Sequence, residues 1–159
     1  MIDLNDLLEQ VWPMATQQAV PTESVSLNNA LGRVLAQDVF SSLNVPQHDN
    51  SGMDGYAVCC TDIQPSRRFQ ISQRVPAGAS PQPLQPGTVA RIFTGAPIPP
   101  GADSVVMQED VMVNVDGRVT FSSLPKSGQW IRRAGEDIAS GQVVLSQGTR
   151  LDAIHVGLL

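Results

Sequence analysis

Leu4, Leu7, Leu8 and Val11 recur at i, i+3, i+4 and i+7, the spacing of one helical face. The pattern predicts an amphipathic helix that Asp3 caps and Pro13 ends near Trp12, because proline lacks the N–H that a helix interior needs. After a polar stretch containing Pro21, Ser26 is placed to cap a short helix through Leu27, Ala30 and Leu31. Gly32 suits the left-handed residue that closes it, and Val34–Val39 reads as a strand.

From Val45 the helical period vanishes. Extended segments are expected at Gly55–Cys59, Phe69–Val75, Thr88–Phe93, Ser104–Gln108, Val111–Val115, Arg118–Phe121 and Gln142–Leu145. Groups such as Pro76-Ala77-Gly78 and Pro99-Pro100-Gly101 separate them, and Asp116-Gly117 between apolar runs is the clearest hairpin signal. Strands this short and dense point to a coiled or barrel-like β domain, and the lack of βαβ alternation argues against a Rossmann or flavodoxin fold. At the end, Asp152 is placed to cap a helix through Leu159 that stops after about two turns. A chain cut short before a further domain is the expectation. The helical start and finish can pack together, with the β segment inserted between them.

Composition narrows the class. Of 159 residues, 42% are hydrophobic and only 16% charged, which favours a packed core over disorder. Aromatics make up 4%, so that core must rest on Val, Leu, Ile and Ala. A net charge of −5 with no basic run argues against nucleic-acid or acidic-membrane binding. No segment approaches the ~18–20 apolar residues of a membrane span, and the first residues lack the features of a signal peptide. Cys59 and Cys60, being neighbours, cannot staple the fold, so a reducing cytoplasm is the expected location. Neither a zinc site nor a GxSxG, P-loop or GxGxxG motif is legible.

Three segments can carry chemistry. In Asp49-Asn50-Ser51-Gly52-Met53-Asp54-Gly55-Tyr56-Ala57, the carboxylate of Asp54 stands just before an expected strand. It can hold a cation or accept a proton, or merely bond nearby amides in a turn. Arg91-Ile92-Phe93-Thr94-Gly95-Ala96-Pro97 joins a strand to a stiff loop whose N–H groups and Thr94 hydroxyl can form an oxyanion concavity, or simply a loop. In Ile131-Arg132-Arg133-Ala134-Gly135-Glu136-Asp137, the guanidiniums suit anions and the acids suit Mg²⁺, while the plain alternative is a surface salt-bridge patch. His48 and His155 read as an isolated loop and an isolated helix histidine.

These blocks, in this order, resemble the molybdopterin molybdenumtransferase family (MoeA and the gephyrin E domain). Leu31-Gly32-Arg33-Val34-Leu35-Ala36 and Ala102-Asp103-Ser104-Val105-Val106-Met107-Gln108-Glu109 resemble it too, and the likeness runs from about Leu4 to Leu159. It implies an α+β, mainly β, fold like the MoeA N-terminal part, with a coiled or bifurcated β subdomain inserted into a small helical subdomain. The expected boundaries are 1–44 for the first helical part, 45–140 for the β subdomain and 141–159 for the return segment. A molybdopterin-binding α/β domain would come next.

The resemblance further implies insertion of molybdate into adenylylated molybdopterin, with Mg²⁺ and release of AMP, by a cytoplasmic homodimer. The molybdopterin adenylyltransferase is a candidate partner. Family positions carry over to Asp54, Thr94 and Asp137 as catalytic residues and to Arg132, Arg133 and Glu136 as substrate-binding ones, with Asp54 and Asp137 as candidate Mg²⁺ ligands. Gly52 stands where relatives often carry alanine, and Ala134 where some continue the basic run. Two other readings stay open: a gephyrin-like scaffold or dimerisation module, and a chain that is inactive on its own.

Overall fold

The computed structural model describes residues 3–16 and 21–159. Helix α1 (Leu4–Thr16) opens the chain. Strands β1 (Val39–Phe40), β2 (Asn50–Ser51), β3 (Gly55–Val58), β4 (Gln70–Val75) and β5 (Thr88–Ile92) follow. Next come β6 (Ser104–Met107), β7 (Val111–Val113), β8 (Val119–Phe121), β9 (Ile131–Arg132) and β10 (Val143–Leu145), and α2 (Ala153–Leu158) ends the described chain. The molecule is mainly β with few helices, as expected. It divides into two compact units, residues 1–39 with 145–159, and residues 40–144.

The first unit departs from the sequence pattern in two places. Helix α1 continues through Pro13 to Thr16 instead of ending near Trp12. Proline removes the bond to the carbonyl four residues back and crowds it with its ring, but that residue, Glu9, lies exposed where the carbonyl can tilt outward to water. Ser26 has the extended backbone of an N-cap, but its side chain makes no cap hydrogen bond and only a 3-10 turn, Leu27–Asn29, forms. In a turn this short the backbone carbonyl of Ser26 accepts from Asn29 N–H at 2.9 Å, leaving little for a hydroxyl to cap. Gly32 is left-handed (φ +78) as expected, and Asp152 caps α2, accepting from the amides of Ile154 and His155. His155 completes a capping box with Asp152, a role that an isolated helix histidine did not suggest. Of the expected strand Val34–Val39, only a single bridge at Val34 and the start of β1 are extended. Ala30, Leu145 and Leu151 form this unit's small core.

The second unit is built on a four-stranded sheet ordered β4-β5-β3-β6. Strand β3 pairs antiparallel with both β5 and β6, whereas β4 and β5 run parallel. The parallel pair is joined by a Pro- and Gly-rich connection, residues 76–87, without the helix that usually makes such a crossover. Because side chains alternate across a sheet, each strand feeds two cores. Tyr56, Val58, Val89 and Val106 pack with Phe69 and Phe121 on one face, and Ala57, Ala90, Ile92 and Val105 pack with Val75 on the other. Phe69 and Phe121 meet edge to face, centroids 5.6 Å apart. The Asp116-Gly117 hairpin forms as β7–β8, with Gly117 (φ +76) supplying the left-handed residue and its N–H reaching Asn114. Strands β2 and β9 pair as a separate two-stranded ribbon.

Candidate functional site

The polar site begins where the apolar face of the sheet ends. Along β3, Val58 and Tyr56 point into the first core, and Asp54 comes two residues earlier. Along β5, Val89 points into that core, with Arg91 and then Phe93 following at the same two-residue step. The alternation that builds the core therefore delivers Asp54, Arg91 and Phe93 to its rim.

Asp54 is not a local turn residue. Its Oδ1 accepts from both the amide and the hydroxyl of Thr94, each at 2.8 Å and forty residues away in sequence. The Thr94 amide, then its hydroxyl, hold the Asp54 carboxyl below the usual carboxylate range, with a smaller push from the charge of Arg91. At neutral pH Asp54 is ionised, and Oδ2 makes no hydrogen bond among the described residues. The arrangement thus offers a fixed carboxylate that can accept a proton or a cation, beside an exposed threonine oxygen whose own hydrogen is spoken for.

The expected oxyanion concavity of free N–H groups is absent from the Thr-Gly loop. Thr94 N–H serves Asp54, Gly95 N–H serves the carbonyl of Ser51, and Ala96 N–H serves that of Phe93. The first two stitch the loop to the Asp49–Asp54 segment instead, and the third closes the loop on itself. Ser51 N–H reaches Ala96 and Ile98 N–H reaches Asp49, both at 2.9 Å.

The same segment binds the third block from its other side. Asn50 and Ser51 pair with Arg132 and Ile131, and Gly52 N–H donates to the carbonyl of Trp130 at 2.8 Å. Trp130 takes a left-handed backbone (φ +54), a conformation that costs a non-glycine residue roughly 1–2 kcal/mol. Within the block, Arg132 Nη2 donates to both oxygens of Asp137, at 2.6 and 2.7 Å, and its Nε lies 3.9 Å from Glu136. Arg133 Nη1 meets Asp49 at 2.6 Å, and Glu136 accepts from the Arg133 amide at 2.8 Å. The two arginines thus face three carboxylates of their own chain.

Asp54 and Thr94 are in direct contact, and Arg132, Arg133, Glu136 and Asp137 form a second cluster one strand away. No hydrogen bond or ion pair joins Asp137 to Asp54 or Thr94 among the described residues. The sequence reading missed two residues here. Asp49 looked like turn chemistry, yet it ties Arg133 and the Ala134 amide together, and that amide first and Arg133 second lower its pKa. Arg91, whose guanidinium donates to Gly55 O and Gln108 Oε1 at 3.0 and 2.6 Å, was legible as a lone charge inside the apolar run Val89–Phe93.

The family described as MoeA N-terminal region (domain I and II) matches residues 2–159. The chain belongs to it. Among relatives of the MoeA N-terminal region, a molybdopterin molybdenumtransferase of Haemophilus influenzae is 47% identical over 96% of this chain and 37% of its own length. One from Bacillus subtilis is 37% identical over 91% of this chain and 38% of its own. A molybdopterin biosynthesis MoeA protein of Pyrococcus horikoshii superposes with a TM-score of 0.84 at 32% identity, over 99% of this chain and 41% of that one. The chain thus spans somewhat over a third of the length of the relatives it matches.

The family likeness implies Mg²⁺, and the donors present bear on that. No group of three or more Asp, Glu, His or Cys side chains suited to a metal exists among the described residues. Mg²⁺ commonly takes one or two carboxylates and fills its shell with water and substrate oxygens. Asp54 fits as such a single ligand through Oδ2. Asp137 presents no free oxygen in this arrangement, since Arg132 holds both, and would have to release Arg132 to act as one.

Proposed function

We propose that this chain supplies one wall of the site at which a molybdopterin molybdenumtransferase inserts molybdate into adenylylated molybdopterin, with release of AMP, in molybdenum cofactor biosynthesis. The observation that carries the reading is the Asp54–Thr94 pair, two sequence-distant residues joined by two hydrogen bonds at the rim of the sheet. Family membership supports the reaction class.

Molybdate is a stable tetrahedral dianion, so dithiolene sulfurs must approach it and displace oxygen, which leaves as water. The task for a protein is to position two anions and manage charge and protons, not to form covalent bonds to either. Asp54, kept ionised by Thr94, accepts a proton or holds Mg²⁺, which when bound would neutralise anionic oxygens. Thr94 sets the direction of that carboxylate and offers its remaining lone pairs. Asp137 fixes the Arg132 fork. Arg132, Arg133 and Glu136 contact substrate by exchanging ion pairs. Being half exposed, these are worth only ~0–1 kcal/mol each and exchange cheaply.

On this reading the chain is inactive alone, and the whole enzyme works as a cytoplasmic homodimer, with the molybdopterin adenylyltransferase as a candidate partner. Exposed Leu4, Leu7, Leu8 and Val11 on α1 suit a subunit contact. The test is AMP release and molybdenum incorporation by the full-length protein supplied with adenylylated molybdopterin, molybdate and Mg²⁺. Asp54→Asn should lower both by at least ~10²-fold, in the range that positioned proton-transfer groups contribute, and Asp137→Asn, which only loosens the Arg132 fork, by about tenfold or less. Unchanged rates in both variants would remove these residues from the chemistry.

A further inference from the structure

Among the guanidiniums of this unit that meet no carboxylate in a direct ion pair, two are neighbours. Arg74 of β4 and Arg91 of β5 are directly paired in the parallel register. The Arg74 guanidinium lies 4.7 Å from the centroid of the Phe93 ring, and that of Arg91 also 4.7 Å from it. Arg91 further stacks on Tyr56 at 5.2 Å and gives two N–H bonds to neutral acceptors, Gly55 O and Gln108 Oε1. The Arg74 guanidinium makes no hydrogen bond among the described residues.

This pairing is built, not incidental. Between Ile71 and Arg74 the chain advances three residues while its partner advances two, from Val89 to Arg91. Strict alternation would send Arg74 to the face opposite Ile71. The extra residue in β4 restores it to the face of Arg91, Phe93 and Asp54. The hydroxyl of Ser72 holds the bulge, donating to Val89 O at 3.2 Å and accepting from Thr88 Oγ1 at 3.0 Å. Like charges set opposite each other across strands are unfavourable, in a chain whose acids outnumber its bases by 15 to 10. The acids nearby reach the pair only at one remove: Asp54 through its charge on Arg91, and Glu109 through Gln108.

The geometry points to Arg74 and Arg91 as a preformed fork for a tetrahedral oxyanion, presented beside Asp54 by the β4 bulge. Contact with the Phe93 ring restrains both guanidiniums in advance, so less side-chain freedom is lost on binding. Arg91 keeps three N–H donors and Arg74 all five, enough to embrace one oxyanion from two sides. In contrast, Arg132 and Arg133 must first give up internal carboxylates. The inference rests on the proposed function only for the physiological anion, which is either molybdate or a phosphate group of the nucleotide-bearing substrate.

Calorimetric titration of the 159-residue chain with molybdate alone, and separately with inorganic phosphate alone, at fixed ionic strength, tests it. Binding should weaken about tenfold or more in Arg74→Gln, as expected for loss of a charge-assisted contact, and less than about twofold in Arg118→Gln, which removes the same charge at the β7–β8 hairpin. Arg74→Lys, which keeps charge but not the fork, should fall between and guards against misreading a folding defect, with circular dichroism checking both. Tighter binding of one probe identifies the source of the anion, and equal binding assigns the pair to tetrahedral oxyanions as a class. No binding of either probe, or an Arg74→Gln variant that binds both probes as the parent or the Arg118→Gln variant does, overturns the proposal. Binding is read without turnover, so its failure leaves the Asp54–Thr94 reading standing, and the failure of that reading leaves the arginine pair standing.

Discussion

Two glycines three residues apart should respond to alanine with opposite signs. Gly55 lies in β3, facing Met107 of β6 in register. A Cβ there would stand 2.0 Å from the carbonyl oxygen of Val106, 2.9 Å from its carbonyl carbon and 3.1 Å from Met107 Cα. Ordinary contact begins at 3.4 Å, so β6 would have to retreat by about 1.4 Å. That exceeds what a hydrogen bond tolerates, and it pulls at Val105 and Val106, both buried. One or two lost ladder bonds at ~1 kcal/mol each, with ~1–3 kcal/mol of disturbed packing, amount to roughly 2–5 kcal/mol. Against this, alanine returns only ~0.5–1 kcal/mol through the less flexible unfolded chain. The clash wins. At Gly52 the nearest atoms are Trp130 O at 3.4 Å and Arg132 Cγ at 3.8 Å, and the backbone is not left-handed. There the entropic gain should win, making Gly52→Ala neutral or up to ~1 kcal/mol more stable. Urea unfolding followed by circular dichroism reads both. A Gly55→Ala variant within ~1 kcal/mol of the parent, or a Gly52→Ala variant that loses as much as Gly55→Ala, would refute the strand register on which the site depends.

The Asp54 carboxyl should titrate below its usual range, and Thr94→Val, which removes the hydroxyl but keeps the amide, should raise it part of the way back. Because the folded pKa is depressed, this contact contributes stability above the unfolded value of ~3.9 and loses it as pH falls through the folded value. Carbon-detected NMR of Asp54 checks this, and an unmoved midpoint in Thr94→Val would count against the pair. Phe69, 1% exposed and packed edge to face on Phe121, should cost ~3–5 kcal/mol as Phe69→Ala in denaturant melts. The Cys60 thiol is pushed up to about 11, by burial first and by its bond to Asp103 second, so roughly a thousandth of it is thiolate at pH 8. Its alkylation should be slow at that pH and faster in Asp103→Asn. Rapid parental labelling would contradict the burial.

The sequence revealed β3, β5 and β6 because strands buried on both faces read as nearly continuous apolar runs. Asp116-Gly117 and Asp152 were legible because turn and cap chemistry is local. Strands β2 and β9 were not: two residues each, Asn50-Ser51 and Ile131-Arg132, carry no period and are strands only through their partners. Pro13 misled because an exposed carbonyl can turn to water, a context no local rule contains. At the site, residue types pointed to Asp54, Thr94 and the arginine–acid block. Which donors were already committed could not be read. The loop amides, Asp137 and both block arginines are occupied internally, and the parallel register with its bulge, which sets Arg74 beside Arg91, has no signature in sequence.

The proposed function requires Asp54 and Thr94 to act as one unit in metal insertion. The direct measurement is a double-mutant cycle on the molybdenum incorporation rate of the full-length protein, with Asp54→Asn, Thr94→Val and the two combined. If Thr94 works by holding the Asp54 carboxylate, the combined variant should be no more than about threefold slower than Asp54→Asn alone, since residues acting as a unit are far from additive. Losses that multiply, or rates that match the parent in all three variants, would contradict it.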